Sequence, residues 1–145
     1  MIIRDARPLD AGEVAEIAKR AGAAHWSREA YAEEAERSDS LFLVAEDGTT
    51  KAEVVGYAVA RLVEEEAQLF DFASSSDGRG IGKALWKAVL VSARSRGAKK
   101  LTLEVSSANS RGLLFYKQAG AHVVGRRAKF YNDGSDAVLM DAVLS

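Results

Sequence analysis

The sequence predicts a single α/β domain, spanning residues 1–145, built on a mixed β-sheet. Its 145 residues, 48% of them hydrophobic, are enough to bury one core. Strand-like and helix-like segments alternate in the order β-α-α-β-β-β-α-β-α-β-β. The strand, helix and strand between residues 67 and 105 predict two parallel neighbours joined by a right-handed crossover.

Apolar residues at helical spacing predict two helices after a short first strand at residues 2–4. Asp10 and Glu13 form a capping-box pattern at the start of the first helix, and Gly22 marks its end. Ser27 is a candidate N-cap for a second, shorter helix. The side chains predicted to face inward are Val14, Ile17, Ala18 and Ala21 in the first helix, and Tyr31 and Ala35 in the second.

Three strand-like segments then predict a meander, and the best-patterned helix of the chain follows them. The segments span 41–46, 54–63 and 67–74, and the helix spans 81–96. A further strand at 101–105 alternates apolar and polar side chains. The remaining predicted elements are a helix from Asn109 to Gln118 and a hairpin that pairs residues 121–131 with 137–144 around the turn at 132–135.

Composition excludes several classes of function. The 20 basic and 21 acidic residues give a net charge of −1, so neither a nucleic acid nor a membrane is expected as a partner. No apolar run reaches the roughly 18 residues of a membrane span, and the first residues resemble a strand rather than a signal peptide. The chain has no cysteine and only His25 and His122, so no metal site is expected. We therefore expect a metal-independent cytoplasmic protein.

A glycine-rich turn between a strand and a helix predicts an anion site. Backbone N–H groups and the helix dipole favour a phosphate at such a place, and glycine permits close approach. Glycines that serve only turning and packing are the alternative. The candidate phosphate-binding residues are Gly78, Arg79, Gly80, Ile81, Gly82 and Lys83.

Two common phosphate-binding motifs do not fit this turn. A nucleotide-hydrolase P-loop would need glycine where Asp77 stands and a hydroxyl where Ala84 stands. A dinucleotide fingerprint would need a third glycine at Lys83. Asp77 is itself unfavourable beside a phosphate, because like charges repel.

A second group of candidate residues lies in the second half of the chain. Glu104 alternates with Leu103 and Val105 on a strand, Asn109 precedes a helix, and Tyr116 lies within that helix. Each has a structural alternative: a carboxylate on a solvent-facing strand, a helix cap or a core aromatic residue.

The spacing of these residues resembles the acetyl-CoA-dependent N-acetyltransferases of the GNAT family. The pattern is Leu103-Glu104-Val105, then Asn109, then the pair Phe115-Tyr116 and Gly120. Together with the tail at 130–140 it is similar to the RimI-type branch, the ribosomal-protein alanine N-acetyltransferases. The resemblance covers essentially the whole chain. It implies the GNAT-like acyl-CoA N-acyltransferase fold: a mostly antiparallel sheet with a central parallel strand pair and helices on both faces.

The resemblance also implies roles for individual residues. Glu104 matches the general base, and Tyr116 matches the acid that protonates the departing thiolate. Asn109 matches a coenzyme contact, and the turn at 78–83 matches the pyrophosphate cradle of acetyl-CoA. Phe72, Ala73 and Ser74 match the strand end that holds the thioester and the pantetheine arm, while Trp26, Asp71 and Tyr131 are candidate substrate contacts.

The implied acceptor is the α-amine of a protein N-terminus, in the RimI type an alanine of a small-subunit ribosomal protein. A small-molecule amine is an alternative acceptor, and a non-catalytic acyl-CoA-binding module is an alternative function. The chain departs from the family pattern in its short segment before Gly80, in Asp77, and in Phe130, which replaces the first of two tyrosines.

Overall fold

Residues 1–23, 26–48, 53–75 and 80–144 are described by the computed structural model. They form one seven-stranded sheet in the order β1-β2-β3-β4-β5-β7-β6, in which β4 and β5 are parallel and the other neighbours antiparallel. The predicted element order is confirmed. The strands are β1 (Ile2–Asp5), β2 (Ser40–Glu46), β3 (Val54–Val63), β4 (Glu66–Ser74), β5 (Lys100–Ser106), β6 (His122–Arg127) and β7 (Ala137–Val143), and the helices are α1 (Ala11–Ala21), α2 (Arg28–Glu34), α3 (Ile81–Ser95) and α4 (Ser110–Gln118).

Helices cover both faces of the sheet, as expected from the sequence. The α1/α2 layer packs on one face through a cluster that includes Val14, Ile17 and the fully buried Tyr31. The α3/α4 layer packs on the other face, where Leu85 and Val89 of α3 are fully buried. None of the described helices combines the length and apolar character of a membrane span.

The two parallel strands separate near the middle of the sheet. Their ladder, as far as the described residues show it, ends at Gln68 and Thr102. Just beyond, β4 bulges at Phe70, because Leu69 and Asp71 pair with consecutive residues of β3. A β-bulge bends its strand and disrupts the ladder beside it. The bend therefore accompanies a gap between the second half of β4 and the second half of β5.

The bulge also changes which face of the sheet each side chain of β4 contacts. Before it, Ala67 and Leu69 belong to the cluster under α3. After it, Ala73 belongs to the cluster under α1 and α2, whereas Phe72 packs towards α3. Asp71 has the same parity as Ala73, so its side chain lies on the α1/α2 face.

Two predicted details are wrong. The capping box at α1 does not form: Asp10 instead accepts the backbone N–H of Arg7 at 2.7 Å, and both Nη atoms of Arg4 donate to it at 2.8 Å. Glu13 accepts the N–H of Val54 at 3.0 Å. The strand predicted over 121–131 is shorter, because the backbone leaves the ladder after Arg127 and folds into the turn.

Alanine substitution is expected to have opposite effects on stability at Gly56, which packs against α3, and at Gly12, which has room for a Cβ. A Cβ at Gly56 would lie 2.8 Å from Cγ2 of Ile81 and 2.9 Å from Cδ1 of Leu85. Gly56→Ala is therefore expected to lower the free energy of unfolding by about 1–3 kcal/mol, measured by urea denaturation. Gly12→Ala is the matched control: its Cβ would be 3.7 Å from the side chain of Arg28, and alanine favours the helix by up to about 1 kcal/mol. No loss at Gly56 would contradict the tight contact.

Candidate active site

A cleft of about 750 Å³ occupies the gap between β4 and β5. Leu103 and Phe115 line it from the side of α3 and α4. The end of α1 around Ala21 and the side chain of Asp71 line it from the opposite face. The cleft thus connects the two faces of the sheet, and Glu104 and Tyr116 both belong to its lining.

Glu104 reaches the cleft from β5. Its neighbours Leu103 and Val105 point into the core under α3, so strand alternation directs Glu104 to the other face. The side chain is 39% exposed, and its Oε1 lies 3.2 Å from Nη1 of Arg127. Glu104 also lines a second groove, so its carboxylate is accessible from two directions.

Tyr116 reaches the cleft from α4 and is held by aromatic rings. Its ring centroid lies 5.4 Å from that of Phe115, 5.5 Å from that of Trp86 and 6.4 Å from that of Phe72. Burial, and then the negative charge of Asp71, raise the pKa of Tyr116 to about 12. The hydroxyl therefore stays protonated at neutral pH. The residue is partly buried, so it contributes to the core and also lines the cleft.

The other predicted coenzyme contacts fall into two places. Phe72, Ala73 and Ser74 line the cleft along the part of β4 beyond its described ladder with β5. Asn109 also lines the cleft, and its Oδ1 accepts the N–H of Gly112 at 2.9 Å. The helix-cap role is therefore confirmed, and it leaves the amide N–H₂ group of Asn109 for other contacts.

Part of the glycine-rich turn lies outside the described residues, namely Asp77 and the predicted phosphate contacts Gly78 and Arg79. The described chain resumes at Gly80, the N-cap residue of α3, whose φ is +74°. Glycine is favoured there because other residues rarely adopt the left-handed region.

The first turn of α3 adjoins the cleft wall. A Cβ at Gly82 would lie 3.4 Å from the ring of Phe115, which lines the cleft. Ile81 is buried in the core, whereas Lys83 is exposed. The backbone of this turn is thus placed near the cleft, and the buried Ile81 anchors the helix to the sheet.

Asp71 is the buried carboxylate of the cleft. It is 5% exposed. Its Oδ2 accepts a hydrogen bond from the hydroxyl of Tyr31 at 2.5 Å, and its Oδ1 accepts one from the hydroxyl of Tyr57 at 2.8 Å. Burial is the main cause that raises the pKa of both tyrosines, and the Asp71 carboxylate adds to it. Both phenols therefore remain hydrogen-bond donors near neutral pH.

Two predicted substrate contacts lie beside the cleft rather than in its lining. Tyr131 lines the second groove, of about 570 Å³, together with Glu104 and Arg127. Burial, and then the charge of Glu104, raise the pKa of Tyr131. Trp26 lines a separate depression, and its ring centroid lies 5.3 Å from that of Tyr31.

Sequence reasoning missed three groups at the site. The hydroxyls of Tyr31 and Tyr57 meet Asp71 from positions 40 and 14 residues away, and no local pattern reports such a contact. Arg127 pairs with Glu104 across β7, which lies between their strands. In the part of the chain that the structure describes, no three His, Cys, Asp or Glu residues are placed to hold a metal.

Comparison with known proteins identifies the family. Residues 11–121 match the model of the acetyltransferase (GNAT) family, which is well over half of the chain. The chain therefore belongs to the GNAT family and is an acetyl-CoA-dependent N-acetyltransferase. The predicted fold class is confirmed.

Its relatives include N-acetyltransferases that act on ribosomal proteins. The chain is 29% identical over 136 residues to the ribosomal protein bS18-alanine N-acetyltransferase of Salmonella typhimurium, covering 90% of this chain and 88% of the relative. It is 30% identical over 158 residues to an N-alpha-acetyltransferase of Sulfurisphaera tokodaii, covering 98% and 92%. The crystal structure of the ribosomal-protein-S18-alanine N-acetyltransferase of Escherichia coli superposes with a TM-score of 0.85 at 27% identity, covering 99% and 94%.

The tyrosines of the site are predicted to resist ionisation in the folded protein. All four tyrosines of the chain have raised pKa values in the folded state, so the stability they contribute is complete below about pH 10, the pKa of free tyrosine, and is lost as pH rises above it. Phenolate absorbance at about pH 10 is expected to be much weaker in the folded than in the urea-unfolded protein. Tyr116→Phe should lower the unfolded signal by one of the four tyrosines and leave the folded signal unchanged. Full ionisation of any tyrosine near that pH in the folded protein would contradict the burial described.

Proposed function

We propose that this N-acetyltransferase acetylates the α-amine of a protein N-terminus, of the ribosomal-protein alanine type. The observation that carries the proposal is that Glu104 and Tyr116, a candidate base and a candidate acid, line one cleft. The similarity to the bS18-alanine N-acetyltransferases extends over nearly the whole chain and supports the acceptor class.

Acetyl-CoA would occupy the cleft along β4. Phe72, Ala73 and Ser74 line it where β4 has left its described ladder with β5, and backbone groups there would pair with the pantetheine amides. The phosphates would lie at the start of α3, where Gly80 begins the helix and Lys83 adds a positive charge. Asn109 would contact the coenzyme with its amide. The coenzyme supplies an acyl group activated as a thioester.

Glu104 would act as the general base. An ammonium has no lone pair, and an α-amine has a pKa of about 8, against roughly 10.4 for lysine. The Glu104 carboxylate would take one proton, directly or through water, and the freed amine would attack the thioester carbon. A C–N bond forms, and the oxyanion that develops would be stabilised by a backbone N–H near Phe72–Ser74.

Tyr116 would complete the transfer by protonating the leaving thiolate as the C–S bond breaks. Its raised pKa, about 12, keeps the hydroxyl protonated until the thiolate departs. The second proton lost by the nitrogen restores the hydroxyl, and the proton on Glu104 passes to solvent. The acceptor would enter from the groove beside Tyr131, with Trp26 and Asp71 as further contacts.

Intact-mass screening of N-terminal peptides with acetyl-CoA tests the acceptor class. Alanine-initiated peptides are expected to gain one acetyl group with release of one free thiol, whereas the same peptides with a blocked N-terminus should gain none. Polyamines serve as the competing acceptors. Acetylation of polyamines without any reaction of peptides would overturn the proposed acceptor and leave the family assignment intact.

Replacement of Glu104 should separate catalysis from coenzyme binding. Without the base, the rate depends on the amine that is already neutral, so Glu104→Gln is expected to lower kcat at neutral pH by about 10²–10⁴-fold and to shift the rate profile to higher pH. Coenzyme affinity, measured by calorimetry, should be unchanged. Tyr116→Phe is expected to lower kcat across the whole pH range.

Glu66→Gln is the matched control for Glu104→Gln. Glu66 is also a strand carboxylate paired with a cation, Lys100 at 3.4 Å, and its side chain is 40% exposed, against 39% for Glu104. Its replacement should leave the pH profile of the rate in place. A Glu104→Gln protein that lost only coenzyme binding would contradict the assignment of the base.

A further inference from the structure

Phe70 lies where the cleft meets the second groove. Among the described residues, four line both of them, and two of these four, Leu69 and Leu103, are buried in the core under α3. The other two are Phe70, which is 47% exposed, and Glu104. A group that reaches Glu104 from the cleft or from the groove therefore comes close to the ring of Phe70.

Phe70 and Glu104 lie on the same face of the sheet. Leu69 belongs to the core under α3, so strand alternation directs Phe70 to the α1/α2 face. Leu103 belongs to the same core from β5, so Glu104 is directed to the α1/α2 face as well. The two side chains thus border the junction of cleft and groove from neighbouring strands.

The ring of Phe70 is held by a guanidinium that is itself fixed. Cζ of Arg61 lies 5.2 Å from the ring centroid, within the distance of a cation–π interaction. Arg61 donates to the buried carboxylate of Glu34 from Nη2 at 2.7 Å and from Nε at 3.1 Å. Two such parallel hydrogen bonds define the position of a guanidinium, so the ring that contacts it is held in place too.

We propose that Phe70 contacts the first side chain of the acceptor and selects acceptors in which that side chain is small. The side chain branches from the carbon that carries the amine, so an amine at Glu104 brings it to the junction that Phe70 borders. A ring held in place resists displacement by a large side chain, whereas a small apolar one packs against it. Phe70 is a specificity-determining residue in this arrangement, and Arg61 acts through Phe70 as a positioning residue. The inference rests on the proposed function, because it concerns the acceptor of the same site.

Two peptides that differ only in their first residue, alanine or leucine, test this selection. Their kcat/KM values are measured at saturating acetyl-CoA. The wild-type protein is expected to prefer the alanine peptide by about tenfold or more, since even one methylene changes selectivity by that much in a hydrophobic pocket. Phe70→Ala should abolish most of this preference, because the leucine peptide reacts faster at the enlarged junction. An undiminished preference in a folded Phe70→Ala protein would overturn the inference.

Phe130→Ala is the matched control for Phe70→Ala. Phe130 is 49% exposed, and its ring centroid lies 5.6 Å from Cζ of Arg127, but it is not among the described residues that line the cleft or the groove. Its replacement should leave the ratio of the alanine to the leucine kcat/KM unchanged. An equal change of the ratio in both alanine variants would show that the selection does not depend on Phe70.

Phe70→Leu decides the question if Phe70→Ala does not fold. It keeps an apolar side chain at the bulge and removes part of the ring volume. The ratio of the alanine to the leucine kcat/KM is expected to fall between those of the wild-type protein and a fully opened junction. A ratio equal to that of the wild-type protein would contradict the role of the ring.

Arg61→Lys tests the positioning role. Lysine keeps a positive charge beside the buried Glu34 and loses the planar fork that fixes the guanidinium. The preference for the alanine peptide should fall partly in the Arg61→Lys protein, whereas adding Arg61→Lys to Phe70→Ala should change the ratio no further. An unchanged ratio in the single variant, or a further fall in the double variant, would overturn the positioning role.

The acetylation assay and the comparison of first residues fail independently. Absence of peptide acetylation would refute the proposed acceptor class, and the comparison would then be made with small primary amines that carry a methyl or an isobutyl group on the carbon next to the nitrogen. Acetylation of the alanine and leucine peptides by the wild-type protein with equal kcat/KM would refute the selection by Phe70 alone.

Discussion

The early separation of β4 from β5 is the constraint on which the site depends. A parallel pair at the centre of a sheet normally stays hydrogen-bonded along its length, and a buried backbone without partners is costly. Here the described ladder ends at Gln68 and Thr102, and the bulge at Phe70 bends β4 away. These diverging strands border a cleft whose lining includes Glu104, Tyr116 and Asp71. The divergence of β4 from β5 therefore makes room for a ligand beside the strand edges.

Two buried carboxylates outside this cleft are each paired with a guanidinium. Asp10 is paired with Arg4 by two hydrogen bonds of 2.8 Å, and Glu34 is paired with Arg61 by bonds of 2.7 and 3.1 Å. These pairs join β1 to the start of α1 and α2 to β3, and each carboxylate has its own guanidinium. These two pairs fix helices to strands, whereas the contacts of Asp71 include the hydroxyls of Tyr31 and Tyr57 on the wall of the cleft.

The order of the elements and the helix α3 could be predicted from the sequence, because the local periodicity of apolar residues indicates each helix and strand directly. The bulge in β4 could not be predicted from the sequence. Residues 67, 69, 71 and 73 are all buried, so the pattern of alternating burial continues without a break. The side chains nevertheless change from one face of the sheet to the other at Phe70. This happens because helices cover both faces of β4. The contacts of Asp71 with Tyr31 and Tyr57 could not be predicted either, because the sequence pattern identified Tyr31 only as a helix residue that faces inward. Glu104 and Tyr116 were predicted from the resemblance of their spacing to the GNAT family, and only the three-dimensional structure brings them into one cleft.

Residues from both faces of the sheet line the cleft. If acetyl-CoA lies along β4 as proposed, an acceptor amine that approaches from the other face would meet the thioester while the coenzyme is still bound. The acyl group would then pass to the amine without an intermediate on the protein. A chain of 145 residues without a single cysteine is suited to such a direct hand-over.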